Sequence, residues 1–144
     1  MDAAADRLTL SIPSHPGYLC VLRGFFEPLL ASLGMPSADV MRVTLAVHEA
    51  CTNIMQHSYR GDTAQRIDLM VLIAPDGLVV EIRDYGNKPD LAAIQPRSLQ
   101  DVRPGGLGTY FMRAIMDTVT YDVSPDTGTV LRMTKRWSES CTLP

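Results

Sequence analysis

Ile67-Asp-Leu-Met-Val-Leu-Ile-Ala-Pro-Asp-Gly-Leu-Val-Val-Glu-Ile-Arg-Asp84 is the stretch that decides the architecture. Ile67, Leu69, Val71 and Ile73 alternate with Asp68, Met70, Leu72 and Ala74. Both rows are fairly apolar, which predicts a well-covered strand. Ala74-Pro75-Asp76-Gly77 carries turn chemistry, with a proline to preset φ and a glycine to accept a positive one. Leu78, Val80 and Ile82 then form an inward row, backed by Val79, Glu81 and Arg83. Two strands joined by so short a turn pair antiparallel. The inward row continues to Asp84, a carboxylate on the side of the aliphatic residues, and Gly86 follows at once.

A second hairpin lies at 118–136. Val119, Tyr121 and Val123 make one strand, Ser124-Pro-Asp-Thr-Gly128 the turn, and Thr129, Leu131 and Met133 the inward row of the last strand. Upstream, Leu8, Leu10 and Ile12 alternate with polar residues in a half-buried strand that Pro13 stops. Ser14 is placed to cap the first helix. In that helix Leu22, Phe25, Phe26, Leu29, Leu30 and Leu33 recur at helical spacing, and Pro28 should kink it or end it early. Ser37 is the next cap candidate. Val40, Val43, Val47, Cys51 and Ile54 form the apolar stripe of a second helix, expected to end near Tyr59-Arg60-Gly61. Residues 87–104 lack periodicity and contain Pro89, Pro96 and Pro104, which predicts a loop. A third helix starts from Gly105-Gly106-Leu107-Gly108. This order predicts an α/β two-layer sandwich: a mixed, mostly antiparallel sheet with its helices on one face.

The chain has 144 residues, enough for one domain with a real core, expected over about 7–137. It is 46% hydrophobic and 20% charged, with a net charge of −3. No basic run makes a case for nucleic acid or an anionic membrane, and no apolar run approaches the ~20 residues of a spanning helix. The three cysteines, Cys20, Cys51 and Cys141, form no Cys-x-x-Cys pair. They support neither a disulfide framework nor a zinc site, so a cytoplasmic home is expected.

Three stretches carry candidate chemistry. Glu49-Ala-Cys-Thr-Asn53 lies inside the apolar second helix. At about 100° per residue, Glu49, Asn53 and His57 step along one flank of the stripe. They are either a solvated face or a site. As a site, the Asn oxygen suits Mg²⁺ and the carboxylate suits a proton acceptor. Asp84 is either satisfied by backbone N–H groups or an acceptor for a ligand donor such as an exocyclic amine. Gly105-Gly106-Leu107-Gly108 is either a linker or a helix start that offers backbone N–H groups to a phosphate. Arg103, just before it, is either solvated or a mobile cation for a γ-phosphate. Thr129 faces inward on the last strand. His48 points away from Glu49 and reads as structural, and His15 as a surface residue.

In this order and spacing the stretches resemble the boxes of the GHKL ATPases, which share the Bergerat ATP-binding fold. Glu49-x-x-x-Asn53 is similar to their N-box, Asp84-x-Gly86 to the box that reads adenine, Gly105-Gly-Leu-Gly108 to the end of the ATP lid and Gly128-Thr129 to the last box. His57-Ser-Tyr59, Gly106-Leu-Gly-Thr-Tyr-Phe-Met112, Ile115-Met-Asp117 and the run from Ser124 to Lys135 resemble the anti-sigma factor serine/threonine kinases of bacterial partner-switching systems. The resemblance implies ATP and Mg²⁺ as ligands, with Asn53 on the metal and Glu49 as base. Asp84 would accept from the adenine amine, with Gly86 giving backbone room and Thr129 in support. Gly105, Gly106, Leu107 and Gly108 would cradle phosphates, beside Arg103 and His57. It further implies a STAS-type anti-sigma factor antagonist as substrate, a sigma factor as second partner and a homodimer. Lys88 stands where the adenine box usually has a second glycine, and Pro104 separates Arg103 from the glycines. Two other functions remain open on these residues: an ATP-binding interaction module without phosphotransfer, and a detached histidine-kinase ATPase domain.

Overall fold

The computed structural model describes residues 5–90, 106–139 and 141, with the backbone alone for 106–108. The chain runs β1 (Asp6–Pro13), a 3-10 turn (Pro16–Tyr18), α1 (Leu19–Ser32), α2 (Ser37–Asn53), a π turn (Ile54–Ser58), β2 (Arg66–Ala74) and β3 (Gly77–Asp84). It continues with α3 (Gly106–Ile115), β4 (Thr118–Asp122) and β5 (Thr129–Arg136). The strands form one sheet in the order β1-β2-β3-β5-β4. Every pairing is antiparallel, so the sheet expected to be mixed has no parallel pair among the described residues. The helical segments between β1 and β2 bring the chain back to the neighbouring strand in the reversed direction, whereas α3 leads from β3 to the edge strand β4, which runs in the same direction as β3 with β5 between them.

The core lies between the sheet and the helices. Ile67, Leu69 and Val71 of β2, Leu78, Val80 and Ile82 of β3, and Leu131 and Met133 of β5 cluster with Leu22, Phe26, Val43 and Val47. The α2 helix packs against both α1 and α3, and so sits in the middle of the helical layer. The second row of β2, which the sequence suggested was covered, is only half-buried at Met70, Leu72 and Ala74. Among the described residues no layer covers that face.

Pro28 neither ends nor shortens α1, which continues to Ser32. Leu22, Phe26 and Leu30, on both sides of the proline, are each 0% exposed. Burying each is worth about 1.5–3 kcal/mol, which together outweighs the ~3 kcal/mol an interior proline costs. Ser14 does not cap. It is buried, and the His15 ring caps the 3-10 turn ahead of α1 instead, its Nδ1 accepting from Gly17 N–H at 2.9 Å. Ser37 is the first residue of α2 rather than its cap, which is Pro36. The far end of α2 widens into the π turn, where Tyr59 N–H donates to Ile54 O at 3.0 Å. Gly61, at φ 82°, then donates to Met55 O at 2.8 Å and closes the helix.

Candidate functional site

Two elements present the candidate polar side chains. On α2, Glu49 and Asn53 are half-buried one turn apart. Among the described residues neither side chain has a hydrogen-bond or ion-pair partner, so both keep their full capacity for a ligand. His57 falls within the π turn and is exposed. The 100° step that aligned it with Glu49 and Asn53 does not hold through a turn with i→i+5 bonding.

On the sheet, Asp84 and Thr129 face each other in register across β3 and β5. Each is only 3% exposed, at the end of the aliphatic row. Asp84 Oδ1 accepts from Gly86 N–H at 3.0 Å. Burial pushes the Asp84 carboxyl above its usual range, against the opposing pull of the Gly86 N–H and the Arg83 charge. Thr129 Oγ1 is buried, with no partner among the described residues. Buried polar atoms without partners are rare and costly. A carboxylate with acceptor capacity to spare beside an unpaired hydroxyl fits a ligand edge that both donates and accepts, as the amino edge of adenine does.

Two glycines frame this pair, for reasons of packing. A Cβ on Gly86 would run into the Ser58 carbonyl and the Tyr59 ring, so the room this glycine provides is filled by the end of the π turn and the tyrosine after it. Gly128 has φ 67°, and a Cβ there would run into the Asp84 carbonyl. Lys88 reaches across the same end of the sheet, its Nζ donating to Val123 O at 2.6 Å. Arg83 leans away over the open face, its guanidinium 4.5 Å from the centre of the Tyr85 ring and its Nη1 donating to Asp84 O at 2.7 Å.

Gly106 is the first residue of α3, and α3 packs on α2, so the glycine-rich helix start lies in the same layer as Glu49 and Asn53. The backbone of Leu107 and Gly108 belongs to its first turn. Arg103 and Gly105 lie outside the described residues. Among the described residues no group of three or more His, Cys, Asp or Glu side chains could hold a metal. A cation on the Asn53 carboxamide would thus need oxygens from a phosphate ligand and water, as Mg²⁺ usually has. His48 is half-buried, and among the described residues its Nδ1 has no partner, nor does the Thr44 hydroxyl one turn earlier.

A depression of about 420 Å³ lies on the opposite, open face of the sheet. Among its lining residues, Arg66 pairs with Asp68, and Glu81 with Arg132 nearby, so these charges need no ligand. The residue that the sequence reading passed over is Tyr59. It is 6% exposed, and its hydroxyl accepts from Tyr85 N–H at 2.8 Å and donates to Arg66 O at 2.5 Å. The available signal was a phenol closing an apolar helix, since a buried tyrosine hydroxyl usually has a partner.

The family described as the histidine kinase-like ATPase domain matches residues 12–135. The chain is similar to Serine-protein kinase RsbW of Bacillus licheniformis, 29% identical over 143 aligned positions, with 94% of this chain and 88% of that one covered. The Bacillus subtilis protein of the same name gives the same identity and coverage. Serine-protein kinase RsbW of Listeria monocytogenes serotype 4a is 30% identical over 147 aligned positions, with 96% of this chain and 92% of that one covered. Among solved structures, the crystal structure of RsbU and RsbW domains from Mycobacterium tuberculosis superposes with a TM-score of 0.67 at 15% identity. The match covers 96% of this chain and 35% of that longer one, and it shows a shared fold.

Proposed function

The chain belongs to the histidine kinase-like ATPase domain family, on its serine-protein kinase branch, and on that premise we propose an ATP- and Mg²⁺-dependent switch in a bacterial partner-switching system. It transfers the γ-phosphate of ATP to a serine or threonine of a STAS-type anti-sigma factor antagonist. Its second partner is a sigma factor, and it works in the cytoplasm as a homodimer. Among the described residues no helix is long and apolar enough to cross a membrane.

The observation that carries the proposal is the buried Asp84–Thr129 pair. Asp84 accepts from the adenine amine through the carboxylate capacity that Gly86 N–H leaves free. The unpaired Thr129 hydroxyl supports the ring beside it. Gly105, Gly106, Leu107 and Gly108 offer backbone N–H groups to the phosphates at the start of α3. The carboxamide oxygen of Asn53 holds Mg²⁺, which when bound offsets charge on the phosphate oxygens. Glu49 takes the proton from the partner's hydroxyl as its oxygen bonds to phosphorus and ADP leaves. Arg103 adds a positive charge near the transferred group. His57, exposed in the π turn, contributes at the rim.

The reading without phosphotransfer, an ATP-binding interaction module, needs the same adenine pair but no base. A half-buried Glu49 without a partner among the described residues favours the kinase. A detached histidine-kinase ATPase domain would share the fold, but the similar Bacillus and Listeria proteins are named serine-protein kinases. Incubation with γ-labelled ATP, Mg²⁺ and an antagonist protein from the same genome separates the three. The expected product is an acid-stable phosphoester on a serine or threonine. Acid-labile label on histidine would select the histidine-kinase domain. ATP binding without transfer to any such protein would select the interaction module.

A further inference from the structure

The three backbone N–H groups that come after Asp84 are all held, each by a different acceptor. Tyr85 N–H donates to the Tyr59 hydroxyl at 2.8 Å. Gly86 N–H donates to Asp84 Oδ1 at 3.0 Å. Asn87 N–H donates to Ser58 O at 2.9 Å. Two of these acceptors come from the segment that ends α2. Between them, Gly86 lies so close to Ser58 and Tyr59 that no side chain fits.

The same phenol is anchored on its other side, donating to Arg66 O at 2.5 Å at the start of β2. Burial, ahead of the other influences, pushes the Tyr59 hydroxyl up from its usual value. It therefore stays neutral and can donate and accept at once. The π turn delivers it: Tyr59 N–H reaches back five residues to Ile54 O, which sets where the phenol leaves the helix.

We infer that Tyr59 is a positioning residue for adenine recognition, acting through Asp84. Its hydroxyl fixes the Asp84–Tyr85 peptide, and with it the direction of the Asp84 carboxylate. It also ties the strand that reads the base to the helix that carries Glu49 and Asn53. Without the hydroxyl, Tyr85 N–H loses its acceptor in a crowded site, and the peptide is free to turn. The Gly86 N–H bond that orients Oδ1 loosens with it. This inference rests on the reading of Asp84 as the acceptor for the adenine amine.

The test is a binding cycle on the full chain with Tyr59→Phe, Asp84→Asn and the double variant. Dissociation constants are measured for ATP and for purine riboside triphosphate, which lacks the 6-amino group. They are taken at a temperature where circular dichroism shows every variant folded. Tyr59→Phe should weaken ATP binding about five- to thirtyfold, as loss of a buried hydrogen bond that strands a donor implies. It should change purine riboside triphosphate binding less than about twofold, and add less than about twofold for ATP on top of Asp84→Asn. Equal losses for both nucleotides, or a full additional loss in the double variant, would reduce Tyr59 to a packing residue and overturn the inference. Unchanged ATP affinity in Tyr59→Phe alone would do the same. If Asp84→Asn binds ATP as the wild type does, the adenine reading itself falls, and the positioning role falls with it. Should Tyr59→Phe fail to fold, 2,3-difluorotyrosine at position 59 keeps ring and donor and weakens the acceptor. The same selective loss for ATP is then expected, and its absence overturns the inference.

Discussion

Two aspartates of one hairpin, Asp84 and Asp68, are driven in opposite directions by their surroundings. Asp84 lies under the helices and its carboxyl is pushed up, first by burial. Asp68 lies on the open face. Burial pushes it up too, but hydrogen bonds from Ser11 and Tyr85 and the charge of Arg66 outweigh that and hold it below the usual range. For Asp84 the folded state prefers the protonated form, so its contribution is fully present below the ordinary carboxylate value and is lost as pH rises through the raised one. Asp84→Asn should therefore leave the melting temperature at pH 7 unchanged or higher while ATP binding falls about 10–100-fold, the worth of a hydrogen bond to a charged group. Calorimetric binding and thermal melts on one preparation check both halves. A large drop in melting temperature would mean that Asp84 is structural. Asp68 has the reverse sign: its stabilisation is present above the ordinary carboxylate value and lost as pH falls through the lowered one. Asp68→Asn should thus melt earlier at pH 7 and show a shallower acid limb in a pH series of melts. The inward parity of Asp84 was legible from the alternation in the hairpin. The unpaired hydroxyl of Thr129 was not, because it depends on the register of two strands 45 residues apart in sequence.

At the scale of elements, strand alternation located all five strands, and helical spacing located the three helices. Single-residue signals were less reliable. Pro28 reads as a breaker, yet α1 runs through it because buried neighbours on either side hold the helix. Ser14 and Ser37 read as caps, yet one is buried and the other comes after a proline. The π turn was invisible, since nothing local distinguishes i→i+5 from i→i+4 bonding. Its cause is tertiary: Ser58 and Tyr59 reach the segment after Asp84. The two framing glycines belong to this scale. Gly86→Ala and Gly128→Ala should each destabilise by about 1–3 kcal/mol, the first by collision with Ser58 and the second by strain at φ 67° and collision with Asp84. Urea titrations measure both. A Gly86→Ala protein of wild-type stability would contradict the close packing of the two segments.

For the molecule as a whole, helices over one face of an antiparallel sheet were legible from two hairpins and three helices. The open face was not, because the half-apolar second row of β2 reads like a covered one. The proposed site draws on α2, β3, β5 and the start of α3, which neighbour one another in space but not in sequence. ATP with Mg²⁺ should therefore stabilise the whole fold, by about 2.7 kcal/mol at a hundred times the dissociation constant. That shift should fall to about 0.4–1.4 kcal/mol in Asp84→Asn at the same nucleotide concentration.

Glu49 is proposed to serve phosphotransfer and not nucleotide binding. Glu49→Gln keeps shape and polarity and removes the base. Phosphorylation of the antagonist protein should fall at least a hundredfold in this variant, within the range usual for general base catalysis. The dissociation constant for ATP should stay within about threefold of the wild type, since Glu49 is not among the residues proposed to hold the base or the metal. Transfer at the wild-type rate by Glu49→Gln would remove Glu49 as the base.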